Sequence, residues 1–423
     1  MIFLLGVIVF ILILVVSVAW HELGHLLPAK LFKVPVSQYM VGFGPTIWSK
    51  KVGETEYGFK WILLGGYIRM TGMYSPSPSK RAAKSGWRAN LADAAREATR
   101  EEIAAGDEGP EGRAFYKLSA PRKAVVMLGG PTMNLILALV LLAFSGSVLG
   151  AYNTSTTVGV ISQCMDSAGV TVSCDQGSEG PAKAAGVQTG DKMVAWNGQP
   201  IETWEDVLAN IGPSAEGPSV LTVERDGRRL DLTVTPIRTK EGDASRAVIG
   251  VRPHLVLERQ PVSAAPGVLW DQVKASAGLY ASLPVSVWNT LVDLVQGNDR
   301  DFNSPLSMVG VARLSGQVGS AEYSADIPDP WRLRWSTWLQ LGAAINIALW
   351  LFNLLPLLPL DGGHIANAVF EGVRRTGARL RHRPDPGPAD SARLMPLTYL
   401  VVGLLILMTL ILVIADVINP IRV

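Results

Sequence analysis

Residues 1–27 form one apolar block in which Glu22 is the first charged side chain, and His21, Glu22 and His25 stand together at its end. A run of this length can cross a bilayer core, for which about 20 apolar residues suffice. A carboxyl and two imidazoles at such depth are costly unless they are used. Histidines four apart lie on one face of a helix, one turn apart, so both can reach one tetrahedral zinc ion. Glu22, beside the first, can then reach a water activated by that metal and take its proton. The five-residue pattern alone recurs by chance, and the plainer reading is two histidines satisfied near a helix end. The apolar setting is what favours a metal site. The block has no basic start, is too long for a cleaved leader's apolar core and ends in His and Glu, so a retained span is expected.

Mean hydropathy is +0.25, high for a soluble protein. Apolar residues are concentrated in that first block and in three more, at roughly 124–150, 338–360 and 397–414. The third is interrupted by Asn346, Asn353, Pro356, Pro359 and Asp361. Residues 30–123 hold 16 Lys and Arg against 9 Asp and Glu, residues 371–394 are again rich in Arg, and residues 152–335 hold 15 basic against 21 acidic side chains. By the positive-inside rule the first and third connections face the cytoplasm, and the middle segment and both termini face outward. A net charge of +2 gives no reason to expect a nucleic-acid partner. Cys164 and Cys174, the two cysteines, both fall in the outward segment. An oxidising compartment would permit a disulfide there, and two free thiols are the other reading.

In chain order, residues 41–70 alternate in the manner of strands and are rich in Gly and aromatics, with Gly65-Gly66 in or near a turn or bulge. So apolar a hairpin is expected to dip into the membrane, shielded by protein or a water-filled cavity. Residues 75–113 change to Ser-Pro repeats and charges, a flexible or partly helical insert. Gly129-Gly130-Pro131 leads the second span and permits close backbone approach, with Asn134 placed to hydrogen-bond another span. Residues 181–198, with the pattern P-A-x-x-A-G-V-x-x-G-D before a strand and an Asn-Gly turn, resemble the PDZ domains of bacterial proteases. Thr203 is the expected N-cap of the next helix, and two strands joined by Asp226-Gly227 follow. A PDZ domain takes an extended peptide as an added strand, here expected along Gly159, Val160 and Ile161. The cysteine loop would cover or reshape that groove. Asp361, isolated in an apolar run, needs a counter-charge, and a zinc held by His21 and His25 would supply it. His364 reads as supporting or surface.

Together these motifs resemble the site-2 protease family of intramembrane zinc metalloproteases, and more closely its bacterial branch with a PDZ domain between the second and third spans, which cuts anti-sigma factors. The family's H-E-x-x-H stands as His21, Glu22 and His25, its N-x-x-P-x-x-x-L-D-G as Asn353, Pro356, Leu360, Asp361 and Gly362, and its G-G-P-x-x-N as Gly129, Gly130, Pro131 and Asn134. The resemblance covers nearly the whole chain, the insert and the cysteine loop being the departures. It implies Zn2+ as cofactor on His21, His25 and Asp361, Glu22 as general base, and Asn353 as a donor to the substrate carbonyl or oxyanion. It also implies that the strand around Gly65 and Gly66 holds an unwound substrate, and that single-span membrane proteins of the anti-sigma-factor kind are cut in the cytoplasmic half of the cell membrane.

The expected fold is therefore an α-helical polytopic membrane protein with about four transmembrane helices, a membrane-associated β-hairpin and an inserted α+β PDZ domain. The expected divisions are a zinc-motif span (1–29), the hairpin (30–74), the cytoplasmic insert (75–121), a second span (122–151), the outward PDZ domain (152–255), an amphipathic connector on the outer surface (256–335), a third span (336–370), a cytoplasmic loop (371–395) and a fourth span (396–418). A membrane metalloprotease of another family with a distant Glu ligand, a silent PDZ scaffold that sequesters peptides and a zinc transporter are the rivals. Asp361-Gly362 argues against the first, Glu22 beside both histidines against the second, and the single charged site against the third.

Overall fold

The computed structural model describes residues 2–75, 91, 93, 94, 96, 97, 99, 101, 110–166, 171–175, 177–214, 217–241, 244–298, 300, 304–321 and 329–420. Most of the insert expected over 75–113 lies outside them. The chain runs α1 (Ile2–Leu31), β1 (Val36–Val52), β2 (Thr55–Met70), α2 (Ala120–Phe144), β3 (Ala151–Ile161), β4 (Cys164–Met165), β5 (Ser178–Glu179), β6 (Lys192–Trp196), β7 (Gln199–Pro200), α3 (Trp204–Ile211), β8 (Ser219–Arg225), β9 (Arg228–Val234), β10 (Ile237–Glu241), β11 (Ala244–Val248), β12 (Val251–Glu258), α4 (Ala265–Gln296), α5 (Met308–Ser320), α6 (Pro330–Asn353), α7 (Asp361–Leu380) and α8 (Met395–Ile418). It divides into two compact units, one of residues 1–145, 261–321 and 337–423 and one of residues 146–260 and 322–336.

In the larger unit, α1 is apolar on every face. Its buried side is Gly6, Phe10, Leu14, Ser17, Val18, Gly24 and His25, while Leu4, Ile8, Leu12 and Val16 are exposed. A helix apolar all round with large side chains turned outward suits lipid, not water. Helices α1, α2 with its continuation to Leu149, and α8 are the three described helices long and apolar enough to cross a membrane. The third expected span is not among them. Arg332, Arg334, Gln340, Asn346 and Asn353 dilute α6, which ends at Asn353, and residues 361–370 belong to a separate amphipathic helix, α7.

Helices in lipid have no hydrophobic drive to associate, so close backbone approach and polar contacts hold them. Gly24 and Gly129 provide the approach: a Cβ on either would collide with the other's carbonyl, so α1 and α2 cross backbone to backbone. Ser315 Oγ donates to Gly6 O at 2.8 Å, joining α5 to α1. Asn346 Nδ2 donates to Ser17 Oγ at 2.8 Å, joining α6 to α1. Lys123 and Glu371 form a buried ion pair at 2.7 Å between α2 and α7.

Strands β1 and β2 are bent at Gly42, Gly44 and Gly65, each with positive φ. As a result residues 38–41 pair with 56–59 on one side and with 66–69 on the other. No strand pairs the outer edge of 66–69 among the described residues. Tyr39 Oη donates to Ala19 O at 2.6 Å, tying this sheet to α1.

The smaller unit is a sheet in the order β12-β3-β6-β8-β9, with β7 beside β6. Helix α3 packs Val207 and Ile211 onto Val158, Met193, Trp196, Leu221 and Val223. Thr203 caps α3 as its sequence indicated, in a reciprocal pair with Asp206. The Asn197-Gly198 and Asp226-Gly227 turns have positive φ at both residues, the two-residue hairpin geometry that joins β6 to β7 and β8 to β9. Cys164 and Cys174 form a disulfide.

Candidate metal centre

His21 and His25 face the same way from the sixth and seventh turns of a helix that the apolar run makes continuous. Asp361 comes to them because Leu354-Leu355-Pro356 ends one helix and Gly362-Gly363 lets the next begin close by. A Cβ at Gly362 would collide with Leu355 O, and one at Gly363 would lie 2.6 Å from Leu358 N. The loop thus folds directly against the first turn of α7, and Asp361 opens that helix.

The three side chains converge on one point. His21 Nε2 lies 3.1 Å from His25 Nε2, and Asp361 Oδ2 lies 3.2 Å from each. Bonds of about 2.0–2.1 Å from a tetrahedral zinc place neighbouring ligand atoms about 3.3–3.4 Å apart, so this triangle has nearly the required edges. Asp361 Oδ2 is buried and makes no hydrogen bond. Two imidazoles and one carboxylate form a catalytic zinc donor set with a fourth position to spare. Gly130 keeps the space beside it clear: a Cβ there would strike His25 Nε2 and lie 2.8 Å from His21 Cε1. His25 Nδ1 donates to Val126 O at 2.8 Å, so its Nε2 lone pair faces the centre. These residues fit the ion.

Glu22 points toward the sheet. Its side chain lies against β2: a Cβ at Gly66 would lie 3.2 Å from Glu22 Cγ and 2.8 Å from Val18 Cγ1. The strand expected to hold substrate therefore runs beside the expected base, with Gly66 against Glu22 and Gly65 at the bend. Asn353 ends α6, where its amide donates to Leu349 O at 3.0 Å, engaged within its own helix. His364 is half-buried and lies outside the ligand triangle.

The peptide edge expected along Gly159, Val160 and Ile161 is not open. Val160 and Ile161 pair with Arg252 and Val251, so β12 covers β3 and is itself the terminal strand. Beside β12 lies a cavity of about 510 Å3, lined by Trp204, Leu208 and Ile211 of α3 and by Val251, Arg252 and Pro253. Met165, next to the disulfide, also lines it. Nothing local to β3 told which strand would pair with it. Gly130 and the Val126 carbonyl were also missed as parts of the centre. The Gly-Gly-Pro run was the available signal, read as packing alone.

Residues 9–383 match Peptidase family M50. The chain is 32% identical to the zinc metalloprotease Rip1 of Mycobacterium tuberculosis H37Rv, over 100% of this chain and 99% of that protein. It is 31% identical to Rip1 of Mycolicibacterium smegmatis over the full length of both. With the zinc metalloprotease RasP of Geobacillus kaustophilus it shares 25% identity over 87% of this chain and 90% of that protein.

Proposed function

Because the chain belongs to Peptidase family M50, the site-2 protease family, and is a membrane zinc metalloprotease, we propose that it is an endopeptidase that cuts the membrane-spanning segments of single-span proteins, anti-sigma factors among them. The observation that carries this reading is the His21, His25 and Asp361 triangle with Glu22 beside it, built on helices suited to lipid.

His21, His25 and Asp361 would hold the zinc, which when bound would supply Lewis acidity to the attacking water and the scissile carbonyl. Glu22 takes a proton from that water and returns it to the leaving amine. A substrate helix hides its amides in its own hydrogen bonds, so it must unwind before attack. The open edge of residues 66–69 supports strand addition of the unwound segment within reach of Glu22. Asn353 stands ready to exchange its bond to Leu349 O for one to the substrate oxyanion. The loop charges support four spans, with α6 as the third, a zinc site in the cytoplasmic half, and an outward PDZ domain at residues 152–255. In that domain the peptide groove lies between β12 and α3, and the cavity there supports this placement.

The test is the position of the cut. The purified protein in liposomes is given a single-span reporter and the products are weighed by mass spectrometry. Cleavage within the apolar span is expected. Cuts confined to the flanking soluble segments would contradict the reading.

A further inference from the structure

We propose that Asn134 is a positioning residue for zinc binding: its amide oxygen accepts the Nδ1–H of His21 and so fixes the tautomer that offers Nε2 to the metal. This rests on the reading of His21, His25 and Asp361 as the zinc site.

Asn134 is wholly buried in the middle of α2, an apolar helix where an amide needs a partner. That partner is His21, whose Nδ1 lies 3.1 Å from Asn134 Nδ2, while Asn134 Oδ1 is buried with no hydrogen bond. A neutral imidazole carries one N–H. To act as a ligand, His21 must present a bare Nε2 to the centre, which leaves its proton on Nδ1. A proton there can be received by oxygen and not by an NH2 group. The two ends of an amide have nearly the same shape, so a half-turn exchanges them at little steric cost. After that half-turn Oδ1 gains its donor and His21 is locked in the ligating tautomer.

The placement on α2 follows one stripe. Val126, Gly130 and Asn134 are spaced by four residues and share a helix face. Val126 O receives the His25 Nδ1–H, Gly130 leaves the gap that the ligand atoms fill, and Asn134 receives the His21 Nδ1–H. One helix thus orients both imidazoles and supplies no ligand itself. Its two acceptors differ in one respect: the carbonyl of Val126 is backbone and survives mutation, whereas the Asn134 oxygen does not.

The experiment measures zinc affinity by chelator competition on the full-length protein in detergent, comparing wild type, Asn134→Leu and Asn134→Asp, with thermal unfolding of the zinc-free forms as the check on folding. Loss of an outer hydrogen-bond partner of a ligand costs about 10- to 100-fold in metal affinity. Asn134→Leu, close in volume, is expected to bind zinc weaker by that factor. Asn134→Asp, whose carboxylate still accepts from Nδ1–H, is expected to lie within a few-fold of wild type. Should Asn134→Leu fail to fold, Asn134→Ala is read in the same way. Affinity unchanged in Asn134→Leu, or an Asp variant as weak as the Leu variant, overturns the proposal. A wild type whose zinc binding survives His21→Ala overturns the zinc-site reading as well.

Discussion

His21, Glu22, His25, Asp361 and Asn134 are each poor choices for an apolar environment, and each is made tenable by the others. The outer nitrogen of His25 meets the Val126 carbonyl, that of His21 meets the Asn134 amide, and one carboxylate lies between their inner ones. Gly130 has the least conspicuous part in this cluster and gives the sharpest test at this scale. An alanine there would favour the helix by about 1 kcal/mol on intrinsic propensity alone. Its methyl group would nevertheless fall on His25 Nε2. Gly130→Ala is therefore expected to lower zinc affinity about tenfold or more, beyond what any change in the thermal stability of the zinc-free protein accounts for, both measured in detergent. Unchanged affinity would mean that α2 does not crowd the ligands. The three residues that converge were legible in the sequence, because charge inside an apolar run is visible as a cost. Their supports were not, because a backbone carbonyl and a glycine leave no such mark.

Among the elements, the crossing of α1 and α2 sets the geometry, since it brings Gly24 against Gly129 one residue from His25 on one side and from Gly130 on the other. Inserting side-chain volume into a closed contact costs typically about 1–3 kcal/mol. Gly24→Val is expected to lose about that much stability and to lose zinc with it, measured by thermal unfolding and metal content. A variant with normal stability and full zinc would show that the helices need not approach so closely. The helices, the broken apolar run before Asp361 and the two hairpin turns with Asn-Gly and Asp-Gly could be read from local pattern. The pairing of β12 with β3 could not. Alternation tells which face of a strand is buried, and these partners are separated by some ninety residues of chain. The far bound of the third expected span, residue 370, went astray for a related reason: apolar content carried the segment past Asn353, while the two prolines and Gly362-Gly363 turn the chain into α7.

The molecule as a whole divides into two units, and charge is held in each by close pairing. In the smaller unit Asp191 is buried and receives two hydrogen bonds from Arg225 at 2.7 Å and one from the Gln188 amide at 2.8 Å. Burial alone would push its carboxyl up; these donors outweigh it and hold it below the usual carboxylate value of 3.8. A group whose value is lower folded than unfolded stabilises the fold above the unfolded value and ceases to do so as pH falls through the folded one. Hydrogen exchange of the β8 amides in the full-length protein is expected to accelerate below about pH 4. In Asp191→Asn it should be faster at neutral pH and respond less to acid. Equal acid sensitivity in both would assign the transition to other carboxylates.

Proton transfer by Glu22 is the step on which the proposed proteolysis depends. The most direct measurement compares wild type with Glu22→Gln, at matched zinc content, on a single-span reporter in liposomes. Removing a general base should lower cleavage by about 10²–10⁴-fold. That loss is expected with zinc retained, since Glu22 lies outside the His21, His25 and Asp361 triangle. Equal cleavage by both proteins would contradict it, and the base would have to be sought elsewhere.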